Sequence, residues 1–297
     1  METLLTQPAE ADDAPNPAEM AVARRDLYRF LSAAFLAEPS PDFLAHLRDD
    51  SFQVALAEWF SADVSEKFQR VSESCSADFQ SAVSPTSSRQ SAGLPDGAEV
   101  AQDSRIGNSR YSRLEVCATK PDCAGLEDFS RAARLEFTNL FLVPGGQHIA
   151  PYESVFRDTR EIEGKEISGM LMGQSALDVQ QWYRLAALEI SSDFKELPDH
   201  IGLEFHYLAY LCDREQAFGD AGDYAKQTRA REMQRDFLKA HVLSWLGDLA
   251  EKIRAKAALP LYPAIASLAV EFCQNDLATL ESALGPSCGK SVPIYPG

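Results

Sequence analysis

The sequence has few basic residues, and this excludes one large class of function. Lysine and arginine together number 28 against 45 aspartate and glutamate residues, a formal net charge of −17 over 297 residues. A general nucleic-acid-binding protein needs a basic face for the phosphates, and no Lys/Arg-rich run supplies one. The negative charge instead favours cationic partners. The sequence therefore predicts no nucleic-acid partner.

Long apolar runs are also missing. A bilayer-spanning helix needs roughly 20 continuous apolar residues. The longest uncharged candidate, residues 257–270, holds only fourteen and carries Pro260 and Pro263. The first twenty residues contain five acids and no base, which argues against a secretory signal. We therefore predict a cytoplasmic protein without an integral membrane span.

One short motif at first favours export. Arg24-Arg25 is similar to a twin-arginine export signal, but Asp26, Arg29 and Glu38 interrupt the apolar segment that should follow. The apolar residues after the arginine pair instead recur at the spacing of an amphipathic helix. This pattern predicts a first helix of the fold.

Cysteine is scarce, and the common catalytic motifs are absent. The six cysteines include no Cys-x-x-Cys pair, so neither a disulfide framework nor a zinc site is indicated. The chain has no Gly-x-Ser-x-Gly, no paired Cys/His nucleophile and no dinucleotide fingerprint. The sequence predicts no catalytic residue, no metal and no cofactor.

One pair of residues leaves an enzymatic alternative open. His200 and Glu204 are one helical turn apart, a spacing that could present a metal or an acid–base pair, although His206 is rotated roughly 240° from His200. The simpler interpretation is a helix start, with Pro198 at the first position. Asp199 is then expected in the first turn, ionised beside the positive end of the helix dipole. A helical metal-dependent enzyme using His200 and Glu204 remains the alternative.

The apolar periodicity predicts an all-α fold, a single helical domain formed by residues 20–71 and 126–284. Alternation typical of strands never persists beyond about four positions. The longest apolar stripe consists of Leu238, Val242, Trp245, Leu249 and Ile253. Helical patterns cover residues 20–37, 42–71, 126–142, 152–156, 167–190, 201–212, 238–253 and 263–284.

Three segments lack the composition of a core. In residues 72–125 only seven of 54 are Leu, Ile, Val or Phe, whereas eleven are serine. Such a segment buries too little apolar surface to offset the entropy of ordering it, so we predict a flexible Ser-rich insertion. Residues 1–19 are predicted to be a disordered leader, and residues 285–297, with Cys288, a flexible tail.

Four segments form a recognisable pattern. Residues 136–156 read EFTNLFLVPGGQHIAPYESVF, a helix ending in Leu-Phe, a Pro/Gly loop and an aromatic-Glu-Ser-Val segment. Residues 196–205 contain a Pro-Asp-His-Ile helix start, and residues 237–246 are followed by Leu-Pro-Leu-Tyr at 259–262. Residues 25–39 fit the first helix. Together these segments resemble the TorD/DmsD/NarJ family of redox-enzyme chaperones, which mature molybdoenzymes.

The resemblance implies a single all-helical domain of the TorD-like chaperone type, acting in the cytoplasm without catalysis. Such a protein binds the twin-arginine signal peptide and the apo form of a molybdopterin oxidoreductase subunit, and delays export until the molybdenum cofactor is inserted. The implied client-binding residues are Tyr152, Glu153, Pro198, Asp199 and His200. The implied supporting loop residues are Phe141, Pro144, Gly145 and Pro151.

The chemistry of such a leader suits an acidic chain. Two guanidinium groups followed by an apolar run call for a carboxylate rim beside a hydrophobic groove, which a protein of net charge −17 can supply. A purely structural scaffold subunit is a further alternative. The identity of the client and the choice between monomer and dimer stay open.

Overall fold

A computed structural model describes residues 17–75, 123–162, 165–191 and 194–285. Helices form most of this part of the chain, which confirms the predicted all-α class. They are α1 (Pro17–Leu36), α2 (Pro41–Leu47), α3 (Asp50–Trp59), α4 (Ala62–Cys75), α5 (Cys123–Phe137), α6 (Glu153–Arg157), α7 (Gln174–Leu185), α8 (Ile201–Asp220), α9 (Tyr224–Ala240), α10 (Leu246–Lys256) and α11 (Leu261–Leu284). A π-helical turn, Thr138–Leu142, extends α5, and a 3₁₀ turn, Val242–Ser244, follows α9.

The helix predicted over 167–190 is wrong at its start. β1 (Thr159–Ile162) and β2 (Lys165–Ser168) form an antiparallel hairpin, so Ile167 lies in a strand. Gly169 follows with φ +82°, which ends regular structure, and α7 begins only at Gln174. There the Asp158 carboxylate accepts hydrogen bonds from the backbone N–H and the hydroxyl of Ser175, at 2.9 and 2.6 Å. A side chain before the hairpin thus fixes the beginning of α7.

The periodicity over 42–71 belongs to three helices. Ser40 caps α2 by accepting from the Phe43 N–H at 3.1 Å, and Asp49 caps α3 by accepting from the Ser51 N–H at 2.8 Å. Such caps satisfy otherwise unpaired N–H groups at a helix start. Because each cap starts a new helix, the apolar periodicity is divided among separate short helices.

The C-terminal apolar stripe is buried as predicted, but its helix is broken. All five of its residues are at most 1% exposed. Leu238 lies in α9, Val242 in the 3₁₀ turn, and Leu249 and Ile253 in α10. The chain changes direction at His241, where the backbone leaves helical geometry with φ −114° and ψ −82°.

The central contact of the fold is between α1 and α8, and α8 also packs against α9. Ser32 of α1 donates its hydroxyl to the Gly202 carbonyl at 2.8 Å. A β-carbon at Gly202 would lie 2.5 Å from Cγ of Leu36. The two helices therefore approach closely because this position has no side chain.

The arginine pair near the N-terminus is part of this core. Arg24 bonds to Glu215 of α8 at 3.0 Å and also to Gln234 of α9 and Asp276 of α11. The hydroxyl of Tyr28 donates to Asp276 at 2.6 Å. Arg24 is thus a buried connection among four helices, in keeping with a first helix and not with an export signal.

Several predicted boundaries lie outside the described residues. These are most of the leader, insertion and tail, at residues 1–16, 76–122 and 286–297. The described ends extend the helices beyond the predicted limits, since Pro17–Glu19 lie in α1, Ser72–Cys75 in α4 and residues 123–125 in α5. In the described ranges, no helix has both the length and the apolar character of a membrane span.

Candidate functional site

Two of the segments singled out in the sequence meet at one place. Tyr152 and His200 form a single antiparallel bridge. On either side of it, the Glu153 N–H donates to the Asp199 carbonyl and the Ile201 N–H donates to the Pro151 carbonyl, both at 3.0 Å. We call this contact, formed by residues 151–154 and 198–201, the junction. It brings the five predicted client-binding residues together.

Asp199 supports the junction from inside. Its side chain is fully buried, and Oδ2 accepts from the Ser154 N–H at 2.8 Å. Because Tyr152 makes no side-chain cap, Asp199 caps α6 from a different segment. Its other oxygen, Oδ1, has no hydrogen-bond partner among the described residues.

The predicted position of Asp199 in the first turn of α8 is wrong. Helix α8 begins at Ile201, so Asp199 lies outside the first turn. Pro198 likewise precedes the helix. Burial raises the pKa of Asp199, although the hydrogen bonds from Ser154 act in the opposite direction. Sequence spacing placed the helix start three residues too early, at Pro198, because the bridging residue His200 is the cap and Ile201 is the first helical residue.

His200 is the N-cap of α8. Its Nδ1 accepts from the Gly202 N–H at 3.0 Å, and its ring meets that of Tyr152 edge-on with centroids 5.2 Å apart. Only 4% of the residue is exposed, and burial lowers the pKa of His200 to about 4. The imidazole is therefore neutral at pH 7, with Nδ1 used as an acceptor.

Glu153 anchors the other side of the junction. It is fully buried, and its Oε2 lies 2.9 Å from Nδ1 of His241, while Oε1 pairs with Arg157. Arg157 also donates to the Ala240 carbonyl at 2.7 Å. Helix α6 is thereby attached to the C-terminal end of α9.

Glu204 completes a buried group of three carboxyl side chains with Glu153 and Asp199. Its Oε2 accepts from Trp245 Nε1 at 3.3 Å, and its Oε1 has no partner among the described residues. Burial, with the negative charges of Glu153 and Asp199, raises the pKa of Glu204 well above its usual range. We call these three residues the carboxyl cluster.

The proposed acid–base or metal pair is not formed as the spacing suggested. His200 uses Nδ1 to cap α8, and Glu204 is directed to Trp245. The described residues contain no group of three or more His, Cys, Asp or Glu side chains placed to hold a metal. These contacts give both residues structural roles.

The supporting loop divides into buried and exposed parts. Phe141 and Pro151 are buried, whereas Pro144 and Gly145 are exposed. Beside them, Leu142 and Val143 are 50% and 51% exposed. The exposed part of the loop therefore carries apolar side chains.

Three residues outside the predicted binding set also take part in the site. Glu196 accepts from the hydroxyl of half-buried Tyr152, His241 bonds to Glu153, and Trp245 bonds to Glu204. All three fall inside the segments that carried the family resemblance. Their membership of those segments was the one available indication.

Comparisons with known proteins find a matching family model and several similar chains. The family model described as "Nitrate reductase delta subunit" matches residues 123–251. The chain is 28% identical over 149 residues to "Chaperone protein TorD" of Vibrio cholerae, covering 50% of this chain and 62% of the relative. The protein of the same name from Shewanella pealeana is 28% identical over 149 residues, with 50% and 61% covered. The chain thus spans less than two thirds of the length of these relatives.

Proposed function

We propose that this protein is a chaperone for a molybdopterin oxidoreductase subunit. The family model and the named relatives support this proposal, as does the resemblance to the TorD/DmsD/NarJ family. The chaperone acts in the cytoplasm, binds the subunit's twin-arginine signal peptide and apo form, and delays export until the molybdenum cofactor is inserted. The relatives are named chaperones and not enzymes, which supports a function without catalysis.

The observation that carries this proposal is the bridge between Tyr152 and His200. The two segments that the resemblance connects with client binding are distant in sequence, yet they form one unit. The unit is held by backbone hydrogen bonds and by the Asp199 carboxylate, so its geometry is fixed before any partner arrives. Preorganised surfaces lose less entropy on binding.

We assign the residues of the junction two different roles. Tyr152 is half-buried and, with the exposed loop at Leu142 and Val143, supplies surface for the apolar run of a leader peptide. Glu153, Asp199 and His200 lie beneath that surface and hold Tyr152 in place. Pro198 is also buried, and its carbonyl accepts from the Tyr183 hydroxyl at 2.9 Å.

Capture from cells tests this function. The tagged protein is expressed with its client operon in cells that cannot make molybdenum cofactor, and bound proteins are identified by mass spectrometry. We expect an apo molybdopterin subunit that still carries its leader. A stable complex with the mature, cofactor-loaded enzyme would instead favour the structural scaffold subunit, and would contradict the chaperone.

A further inference from the structure

A shallow open groove of about 530 Å³ lies between α6 and α10. Its lining residues are Val155 and Phe156 from α6 and Asp248, Glu251, Lys252 and Ala255 from α10. The Phe156 ring packs on Trp245 with centroids 5.1 Å apart. Packing on buried Trp245 therefore holds the ring in position, and Phe156 also lines the groove.

That ring face already holds a cation. Nζ of Lys252 lies 3.9 Å from the centroid of Phe156. An ammonium group over an aromatic ring is attracted by the negative face of the π system. The groove therefore presents a place where positive charge is favourable.

Two carboxylates in the groove are free. Asp248 and Glu251 are exposed, and neither side chain has a hydrogen bond or an ion pair with another described residue. By contrast, Asp213 and Glu215 on α8 are paired with arginines. Asp248 and Glu251 are spaced three residues apart on one helix, so they lie on the same face.

We propose that this groove binds an arginine side chain of the client's leader peptide, with the guanidinium over Phe156 and beside the carboxylates of Asp248 and Glu251. The inference rests on the proposed function. It also resolves a difficulty in it, because the structure buries Asp199 and Glu153, the carboxylates that the sequence offered for this purpose.

The chemistry selects arginine over lysine. A planar guanidinium stacks on a ring while its N–H groups bond carboxylates at its edge, which a compact ammonium cannot do equally well. Lys252 occupies the ring face in the free protein and has to move aside. Its side chain is exposed, so this movement costs its contact with Phe156 but no fully buried one.

The first measurement is calorimetric titration with a synthetic peptide that carries Arg-Arg ahead of an apolar run. Glu251→Gln should weaken binding roughly twofold to fivefold, as expected for an exposed ion pair. Glu58→Gln is the control, because Glu58 is another exposed helical glutamate without a side-chain partner among the described residues. The control should stay within about twofold of wild type.

The second pair of variants separates local competition from net charge. Lys252→Gln vacates the ring face and should tighten binding of the Arg-Arg peptide. Arg214→Gln also removes a cation that lies over a ring, 4.5 Å from Phe218, but does so far from the groove in sequence. Equal effects of these two variants would mean that net charge alone controls affinity, and would overturn the inference.

Replacement of Arg-Arg by Lys-Lys in the peptide completes the design. We expect wild type to prefer the arginine peptide, and Phe156→Leu to lose that preference. If wild type binds the arginine peptide and Glu251→Gln leaves the affinity unchanged, the groove is wrong and the proposed function stands. If wild type binds neither peptide, the proposed function is wrong, and the groove proposal that rests on it is wrong as well.

Discussion

Nδ1 of His241 lies 2.9 Å from Oε2 of Glu153, with both side chains buried. The contact joins the residue after α9 to the first residue of α6. Glu153 also pairs with Arg157, which donates to the carbonyl of Ala240. The position of Tyr152, one residue before Glu153, therefore depends on a polar contact with a helix end far along the chain.

Glu153→Ala should destabilise the protein by about 1–3 kcal/mol, because it leaves the buried Nδ1 of His241 without its hydrogen-bond partner. Urea unfolding at pH 7 measures the change. Glu58→Ala, at an exposed position, should change the unfolding free energy by no more than about 0.5 kcal/mol. Similar stabilities of the two variants would show that the buried contact contributes nothing.

Asp199→Ala should cost about 1–3 kcal/mol, because the buried Ser154 N–H loses its acceptor. Asp199→Asn keeps an oxygen in that place and should lose less. Thermal unfolding of the two variants compares them directly. A melting temperature of Asp199→Ala equal to that of wild type would refute the capping role.

His200 predicts a specific dependence of stability on pH. Its pKa falls from the model-peptide value of 6.5 to about 4 in the folded protein, so between these values the unfolded chain binds more protons. Stability supplied by neutral His200 is therefore complete above pH 6.5 and is lost as the pH falls towards 4, by at most about 1.4 kcal/mol per pH unit.

The variant His200→Asn keeps a good N-cap residue but removes the titrating group. Its unfolding free energy should fall less steeply than that of wild type between pH 6.5 and 4. His206→Asn changes an exposed histidine of the same helix and should retain the wild-type slope. Parallel curves for wild type and His200→Asn would be inconsistent with the buried, neutral imidazole.

Two glycines at equivalent positions in their helices should respond in opposite directions to alanine. Gly202→Ala places a β-carbon 2.5 Å from Leu36 and should destabilise the protein by about 1–3 kcal/mol through overpacking. A β-carbon at Gly247, the second residue of α10, would meet no tertiary neighbour within 4 Å among the described residues. Gly247→Ala should gain up to about 1 kcal/mol. A Gly202→Ala variant as stable as wild type in urea unfolding would contradict the close approach of α1 and α8.

How much of the fold could be predicted depended on what apolar periodicity in the sequence indicates. Apolar periodicity reports burial, so the stripe from Leu238 to Ile253 was found, but the break at His241 was not. The hairpin was missed because four-residue strands are shorter than a recognisable alternation. The flexible insertion stays a prediction from composition.

The candidate site, like the fold, could be predicted from the sequence only in part. The family segments identified Tyr152 and Asp199, and the structure brings them together. Sequence cannot show that a carboxylate turns inward, because burial is decided by distant residues such as Ser154 and Trp245. For the same reason it gave no indication of Glu251, whose exposure beside Phe156 follows from the packing of α6 and α10.

Titration of the wild-type protein with the Arg-Arg peptide tests the central claim most directly. The account predicts saturable binding that weakens as salt concentration rises, because salt screens exposed charges, and no comparable binding of a scrambled, uncharged peptide. Equal binding of both peptides, or no binding of either, would contradict a chaperone that recognises a twin-arginine leader.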